Sequence, residues 1–162
     1  MMIPVLTLVG GNALPINNYY KMVEAYQQGH PRQALVHSIC QRDREGNPLY
    51  LEIKAAHRFR EMMAEAAHDG FHLRVISAFR THHQQKQLKR KRGKLAASAG
   101  WSTHQQGLSV DIAGTTRTIK GKKHRTILYW WLVRNASRYG FYNDVPHEPW
   151  HWTFERKERE NG

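Results

Sequence analysis

The chain has 162 residues, the length of one ordinary domain, and 40% of them are apolar. Five Trp, seven Tyr and five Phe are spread along it, a composition that excludes a disordered chain and indicates a packed core. The net charge of +12 favours anionic partners, such as nucleic acid, anionic lipid or an acidic polymer, but it does not identify a reaction. We therefore expect one domain over residues 1–162.

Residues 1–16 are mildly apolar but lack the pattern of a cleaved signal peptide. No Lys or Arg precedes the apolar run, and Gly10, Gly11 and Pro15 interrupt it. Elsewhere no stretch approaches the ~18 uninterrupted apolar residues of a membrane span. We predict neither a signal peptide nor a membrane span, so a substrate outside the cytoplasm would require delivery by a holin or a dedicated secretion system.

The first third of the chain predicts a short helix, a strand and a turn. Residues 19–28 follow two asparagines that could cap a helix, and Gly29 could end it. Residues 35–40 predict a strand that buries Cys40, the only cysteine, so an intramolecular disulfide is excluded. The sequence Gly-Asn-Pro at 46–48 predicts a turn.

An amphipathic helix is predicted over residues 49–69, because apolar residues recur at helical spacing and Gly70 follows. Its polar side carries His57, Glu61, Glu65 and His68, and a solvated face with i,i+4 pairs explains these better than a metal site does.

The remaining predicted elements alternate irregularly between strand and helix. We expect strands at 71–77, 108–112 and 150–154, a basic helix at 84–94, and a helix at 126–139 that Gly140 ends. No internal repeat or linker is found. This order predicts an α+β fold, because a regular strand-helix rhythm is missing.

Two short segments concentrate residues that bind and use metals. The first contains His104 and Asp111, and the second contains Glu148 and His151. A catalytic zinc site needs three protein ligands and an open position. His104 and Asp111 are seven residues apart and would point to opposite faces of one strand, so the chain must bend, and Gly107 is the natural place.

The combined pattern resembles the zinc D-alanyl-D-alanine carboxypeptidase and dipeptidase family, which includes vancomycin-resistance D,D-peptidases and some phage L-alanyl-D-glutamate endolysins. The matching elements are Ser-x-His-x-x-Gly-x-x-x-Asp from Ser102, and Glu-x-Trp-His about 40 residues after Asp111. The segment Ser-Ala-Phe-Arg-Thr at 77–81 is similar to the family's Ser-Gly-Tyr-Arg-Ser. The resemblance covers roughly residues 73–154, with 1–48 as an extension of the same domain.

The resemblance implies a small antiparallel sheet with helices packed around it, and one zinc ion bound by His104, Asp111 and His151. It implies Glu148 as the general base, Arg80 as the residue that binds substrate and the developing oxyanion, and Ser102 as a further substrate contact. The chemistry agrees, since Glu148 is surplus to the three ligands and a guanidinium stabilises an oxyanion. Phe79 replaces the family's usual Tyr and Ser109 its common Ala, departures that bear on specificity.

The sequence leaves open the roles of two tryptophans and of two basic runs. Of Trp150 and Trp152, we expect one in the core and one against the substrate, with Trp150 assigned to the substrate. Two basic runs flank the first motif and either frame the cleft, where they would attract anionic wall polymers, or lie on solvated loops. These runs comprise Lys86, Lys89, Arg90, Lys91, Arg92 and Lys94, then Arg117, Lys120, Lys122, Lys123 and Arg125.

The leading hypothesis is a D,D-carboxypeptidase that removes a terminal D-alanine from peptidoglycan stem peptides. A peptidoglycan endopeptidase, as a phage endolysin or a secreted antibacterial effector, is the close alternative, and the missing signal peptide favours it somewhat. A non-haem iron oxygenase could use the same three ligands, but Glu148 and the absence of a jelly-roll pattern argue against it. A specific nucleic-acid binder lacks any recognised motif, and a catalytically silent wall-binding relative would not need Glu148.

Overall fold

The computed structural model describes residues 19–156, and the predictions made for residues 1–16 lie outside that range. Its elements, in chain order, are β1 (Tyr20–Gln27), β2 (His30–Arg42), β3 (Pro48–Glu52), α1 (Ile53–His68), β4 (Val75–Ser77), α2 (His82–Arg92), β5 (Ser109–Ile112), β6 (Thr116–Ile119), β7 (Lys122–Arg125), α3 (Ile127–Asn135), β8 (Phe141–Tyr142) and β9 (His151–Phe154). The predicted α+β class is confirmed.

Three antiparallel sheets organise these strands. The first has the order β1-β2-β3, the second β4-β5-β9-β8, and the third is the β6-β7 hairpin. Helix α1 packs on β2 and β3, and its buried face, with Phe59 and Met62, joins the core of the second sheet. The helix prediction began too early, because residues 49–52 pair with β2 as strand β3 and Glu52 caps the helix.

The helix predicted over residues 19–28 is wrong. This segment is strand β1, paired with β2 along its whole length from Tyr20 opposite His37 to Gln27 opposite His30. Gln28 and Gly29 both have positive φ and form the hairpin turn. The glycine that resembled a helix end therefore ends a strand, since a tight hairpin also needs residues with positive φ.

Cys40 lies on the predicted strand, but its predicted burial is wrong. The pairing of β2 with β3 shifts between Ser38 and Arg42, and Cys40 has a φ of +60°. This irregularity turns the thiol outward, so the cysteine is exposed.

The second half of the chain follows the predictions with shifted boundaries. Of the strand predicted at 71–77, only β4 forms a strand. Helix α2, which Thr81 caps, begins two residues earlier than predicted. The predicted last helix is α3 followed by a tight turn of 3-10 helix, and Gly140 ends it with positive φ. Ile127, the first residue of α3, is 77% exposed. The second basic run forms the exposed β6-β7 hairpin, an element that we did not predict.

Within the described residues, no helix is both long enough and apolar enough to cross a membrane.

Candidate active site

His104 is held in a buried loop that Ser102 and Gly107 shape. The Ser102 hydroxyl accepts a hydrogen bond from the His104 amide at the start of a 3-10 turn. Gly107 ends this turn with a φ of +74°, and a Cβ there would lie 2.8 Å from the Glu52 nitrogen. The predicted bend at Gly107 therefore occurs, and the close approach of β3 leaves no room for a side chain at this position.

Asp111 and His151 are brought together by strand pairing. Asp111 on β5 lies directly opposite His151 on β9, and opposite Ser77 on β4 on its other side. Directly opposed residues of antiparallel strands project from the same face, so the two side chains meet above the middle of the sheet.

Three ligand atoms converge at this point. The distances are 3.2 Å from His104 Nε2 to Asp111 Oδ1, 3.2 Å from His104 Nε2 to His151 Nδ1, and 3.1 Å from His151 Nδ1 to Asp111 Oδ1. Ligands placed 2.0–2.1 Å from a tetrahedral zinc ion are separated by roughly 3.3 Å. The cluster is therefore close to the size that such an ion requires, and within residues 19–156 it is the only group of its kind.

Hydrogen bonds orient both imidazoles toward the cluster. The Ala78 carbonyl lies 2.7 Å from His104 Nδ1, and because a carbonyl can only accept, Nδ1 carries the proton and Nε2 is bare. On the other ring, His151 Nε2 lies 3.1 Å from the Thr153 hydroxyl, which itself donates to Asp144. His151 Nε2 is thus the donor and Nδ1 is bare. Two bare nitrogens that face each other suit a bound cation.

The electrostatics of the cluster favour a charged carboxylate. Burial alone would raise the pKa of Asp111, but the adjacent imidazoles of His104 and His151 outweigh it and lower that pKa well below its usual range. Burial would likewise lower the pKa of His151, but the negative charge of Asp111 beside the ring outweighs it and raises that pKa. The carboxylate therefore remains ionised and able to bind a cation.

Arg80 lies beside the cluster in a fixed orientation. Its guanidinium donates to Gln85 at 2.7 Å and to the Ser77 hydroxyl at 2.9 Å, and it lies 3.7 Å from Asp111 Oδ2. Burial lowers the pKa of Arg80, while the charge of Asp111 opposes that effect. The side chain is only 15% exposed, so its position is set by these contacts.

Glu148 belongs to the loop between β8 and β9. Asn143 pins this loop, since its side-chain amide donates to the carbonyls of Glu148 and His151 at 2.8 and 2.7 Å. The negative charge of Glu148 acts on both Arg80 and His151. It favours the protonated form of each side chain and so opposes the effect of burial, which acts to lower the pKa of both. The acid is half-buried and stands close to the cluster without being part of it.

A cavity of about 310 Å³ is lined by every residue that the sequence analysis assigned to the site. Its walls include the three cluster residues together with Arg80, Ser102, Glu148 and Trp150. Trp152, by contrast, is 2% exposed and belongs to the core, in agreement with the expectation that one of the two tryptophans packs inside. From the first basic run, Arg92 reaches the cavity.

Sequence reasoning missed the residues that hold the site in place. Gln85 is buried on α2 and bonds both Arg80 and the Ala97 carbonyl, while Asn143, Asp144 and Thr153 fix the second motif. Gln85 left no distinguishing signal, since Gln84 and Gln87 are neutral residues of the same basic helix. The others carry no pattern that a single sequence reveals.

Comparison with known proteins places residues 48–157 in the VanY D-alanyl-D-alanine carboxypeptidase family. A D-alanyl-D-alanine carboxypeptidase of Enterococcus faecium is 32% identical over 115 residues, which span 64% of this chain and 37% of that protein. The putative carboxypeptidase YodJ of Bacillus subtilis (strain 168) is 28% identical over 131 residues, or 63% of this chain and 45% of that protein. The chain thus spans less than half the length of these curated relatives.

Solved structures show the same fold. A mutant of the vancomycin resistance D,D-pentapeptidase VanY, in complex with Zn(II), superposes with a TM-score of 0.56 at 24% identity, covering 70% of this chain and 76% of that one. VanYB in complex with D-alanine-D-alanine gives a TM-score of 0.56 at 22% identity, covering 80% and 84%. Since the family match extends over well over half of the sequence, the chain belongs to the VanY D-alanyl-D-alanine carboxypeptidase family.

Proposed function

We propose that this protein is a zinc-dependent D,D-carboxypeptidase that removes the terminal D-alanine from peptidoglycan stem peptides. His104, Asp111 and His151 would hold one zinc ion, Glu148 would act as the general base, and Arg80, Ser102 and Trp150 would contact the substrate. The observation that carries the proposal is the convergence of three ligand atoms beside Arg80 and Glu148 in one cavity, in a chain of this family.

Zinc bound by these residues would supply Lewis-acid chemistry, because it lowers the pKa of water and polarises a carbonyl group. The two bare imidazole nitrogens and the ionised Asp111 carboxylate fit that ion in number and kind.

Glu148 has the features of a proton acceptor. Its carboxylate lines the cavity, its charge reaches both His151 and Arg80, and it is not needed as a ligand. In the proposed reaction it takes a proton from the attacking water and returns that proton to the departing amine.

Arg80 is suited to stabilise the negative charge that develops on the carbonyl oxygen of the scissile bond. Its contacts with Gln85 and Ser77 fix the guanidinium before the substrate arrives, so little reorganisation is required during the reaction. A fixed, charge-assisted donor of this kind is stronger than a neutral one.

Arg92 favours a carboxypeptidase over an endopeptidase. It lines the same cavity, its charge acts on Arg80, and within residues 19–156 it forms no ion pair. A free guanidinium beside the reacting groups matches the free carboxylate of a peptide's C-terminus, which an internal bond lacks.

Digestion of purified peptidoglycan, and of a pentapeptide that ends in D-Ala-D-Ala, tests the proposal when the products are identified by mass spectrometry. We expect loss of one D-alanine, abolished by a chelator and by Glu148→Ala, with zinc content unchanged in that variant. Internal cleavage of the stem or cross-link would establish the endopeptidase instead. An active Glu148→Ala protein would disprove the proposed base.

The basic runs lead to a separate proposal about the wall itself. The β6-β7 hairpin exposes Arg117, Lys120, Lys122 and Lys123, and we propose that these side chains hold the enzyme on anionic wall polymers outside the cytoplasm. Digesting the same wall before and after removal of those polymers measures this contribution, since we expect slower digestion of the stripped wall at low salt and little difference at high salt.

A further inference from the structure

Trp101 is a large aromatic residue that stands exposed at the entrance of the catalytic cavity. Its side chain lines the cavity, yet the residue is 61% exposed, and Leu95 beside the same cavity is 83% exposed. Neither residue belongs to the cluster of His104, Asp111 and His151. Exposed apolar residues that border a ligand cavity indicate contact with a ligand more often than scattered ones do.

The backbone beneath Trp101 is fixed by the turn of the β1-β2 hairpin. The Gly29 amide donates to the Gly100 carbonyl at 2.9 Å, and the indole ring lies about 3.5 Å from the position that a Gly29 Cβ would occupy. A Cβ on Gly100 would lie 3.0 Å from the Gly29 Cα. Two glycines with positive φ therefore allow this close approach, and the indole rests on one of them.

Gln105 ties the same loop to the catalytic segment. Its buried side chain accepts a hydrogen bond from the Gly100 amide at 2.6 Å and contacts His82 Nδ1 at 3.3 Å. His82 in turn stacks on Tyr26 of β1, with ring centroids 4.2 Å apart. The hairpin turn and Tyr26 precede the residues that match the family model, so residues outside that match help to orient Trp101.

We propose that Trp101 is a specificity-determining residue that binds the substrate beyond the two residues of the scissile bond, so that the enzyme prefers extended stem peptides to short acylated D-Ala-D-Ala. This inference rests on the proposed function. The part of a longer peptide that precedes the scissile pair has to leave the cavity through its entrance, where Trp101 offers a broad, rigid surface. Binding energy that is gained at a distance from the scissile bond either lowers KM or helps to orient that bond for the reaction.

The test compares kcat and KM for acetyl-D-Ala-D-Ala and for a pentapeptide with the same C-terminal pair. In Trp101→Ala we expect KM for the pentapeptide to rise about tenfold, as loss of an aromatic contact predicts. The short substrate should change by less than about twofold, since it does not reach the indole. Trp101→Phe should retain most of the preference, because it keeps a flat ring.

Trp130→Ala is the matched control, because Trp130 is 50% exposed on α3 and does not line the cavity. It should leave both substrates unaffected. Equal effects of Trp101→Ala on the two substrates, equal effects of the two alanine variants, or a wild-type enzyme without a length preference would each overturn the inference. A wild-type protein that cleaves neither substrate would instead reject the proposed function.

Discussion

The two larger sheets of the molecule differ in what they contribute to the site. The β4-β5-β9-β8 sheet carries Asp111 and His151 on paired strands and lies within the family match. The β1-β2-β3 sheet contributes no side chain to the cluster, and β1 and β2 precede the matched residues, yet its first turn contacts the cavity loop at Gly100. The comparison teaches that the sheet carrying two of the three cluster residues differs from the sheet that supports the loop before Trp101.

Removing a proposed ligand from the second sheet should have the largest effect. We expect His151→Ala to bind zinc more than about 100-fold more weakly, because even partners of metal ligands are commonly worth 10–100-fold in affinity. Hydrolysis should become undetectable at limiting zinc. Metal analysis after dialysis and titration against a chelator measure both effects, with Glu148→Ala as the control that keeps its metal. Zinc binding of wild-type strength in His151→Ala would remove this residue from the ligand set.

Gly107 lies in the loop before β5 and contacts the end of β3, and its substitution should weaken the fold itself. The Glu52 amide donates to the Gly107 carbonyl at 2.9 Å, and an added Cβ would strike that same nitrogen. We expect Gly107→Ala to lower the free energy of unfolding by about 3 kcal/mol, from backbone strain plus the steric clash.

Gly46→Ala provides the matched control for that variant. Its φ is +87°, but nothing lies within 4 Å of the added Cβ, so only the strain of about 1 kcal/mol remains. Denaturant unfolding measures both proteins. Equal losses in the two variants would contradict a tight contact between Gly107 and β3.

A contact that lies in neither sheet should give the smallest effect. Trp131 Nε1 donates to Asp69 Oδ2 at 2.8 Å, and this bond, with a smaller contribution from His68, lowers the pKa of Asp69. A folded-state pKa below the unfolded value stabilises the protein fully above about pH 4 and loses that contribution as pH falls further. Asp69→Asn should therefore be slightly less stable near pH 7, with a difference that shrinks below about pH 4.

Unfolding curves at both pH values, alongside kcat and KM at neutral pH, provide the measurement for Asp69→Asn. The kinetic constants should not change, since Asp69 lies outside the cavity. A difference in stability that grows on acidification would show that the sign of this linkage is wrong.

The candidate site was easier to predict than the elements around it. His104, Asp111, Glu148 and His151 carry their signal in residue type, order and spacing, all of which a sequence displays directly. Their assignment as ligands and base remains a prediction, although the structure brings them together. The α+β class was also readable, because its helices and strands alternate without a regular rhythm.

Features that depend on a partner distant in sequence were not predictable. Glycine after a short amphipathic segment is equally typical of a helix end and of a hairpin turn, and only pairing with β2 decides between them at Gly29. In the same way, the bond between Gln85 and Arg80 depends on how α2 lies against the loop before it.

The register of β5 against β9 would couple the assembly of the sheet to the proposed metal. Residues of a strand alternate between its faces, so a slip of one residue would turn either Asp111 or His151 toward the opposite face. An ion that needs both side chains can therefore bind only the correctly paired sheet. Such selective binding stabilises that arrangement by mass action. The concentration of free zinc would then determine how much of the protein is correctly folded as well as how much of it is active.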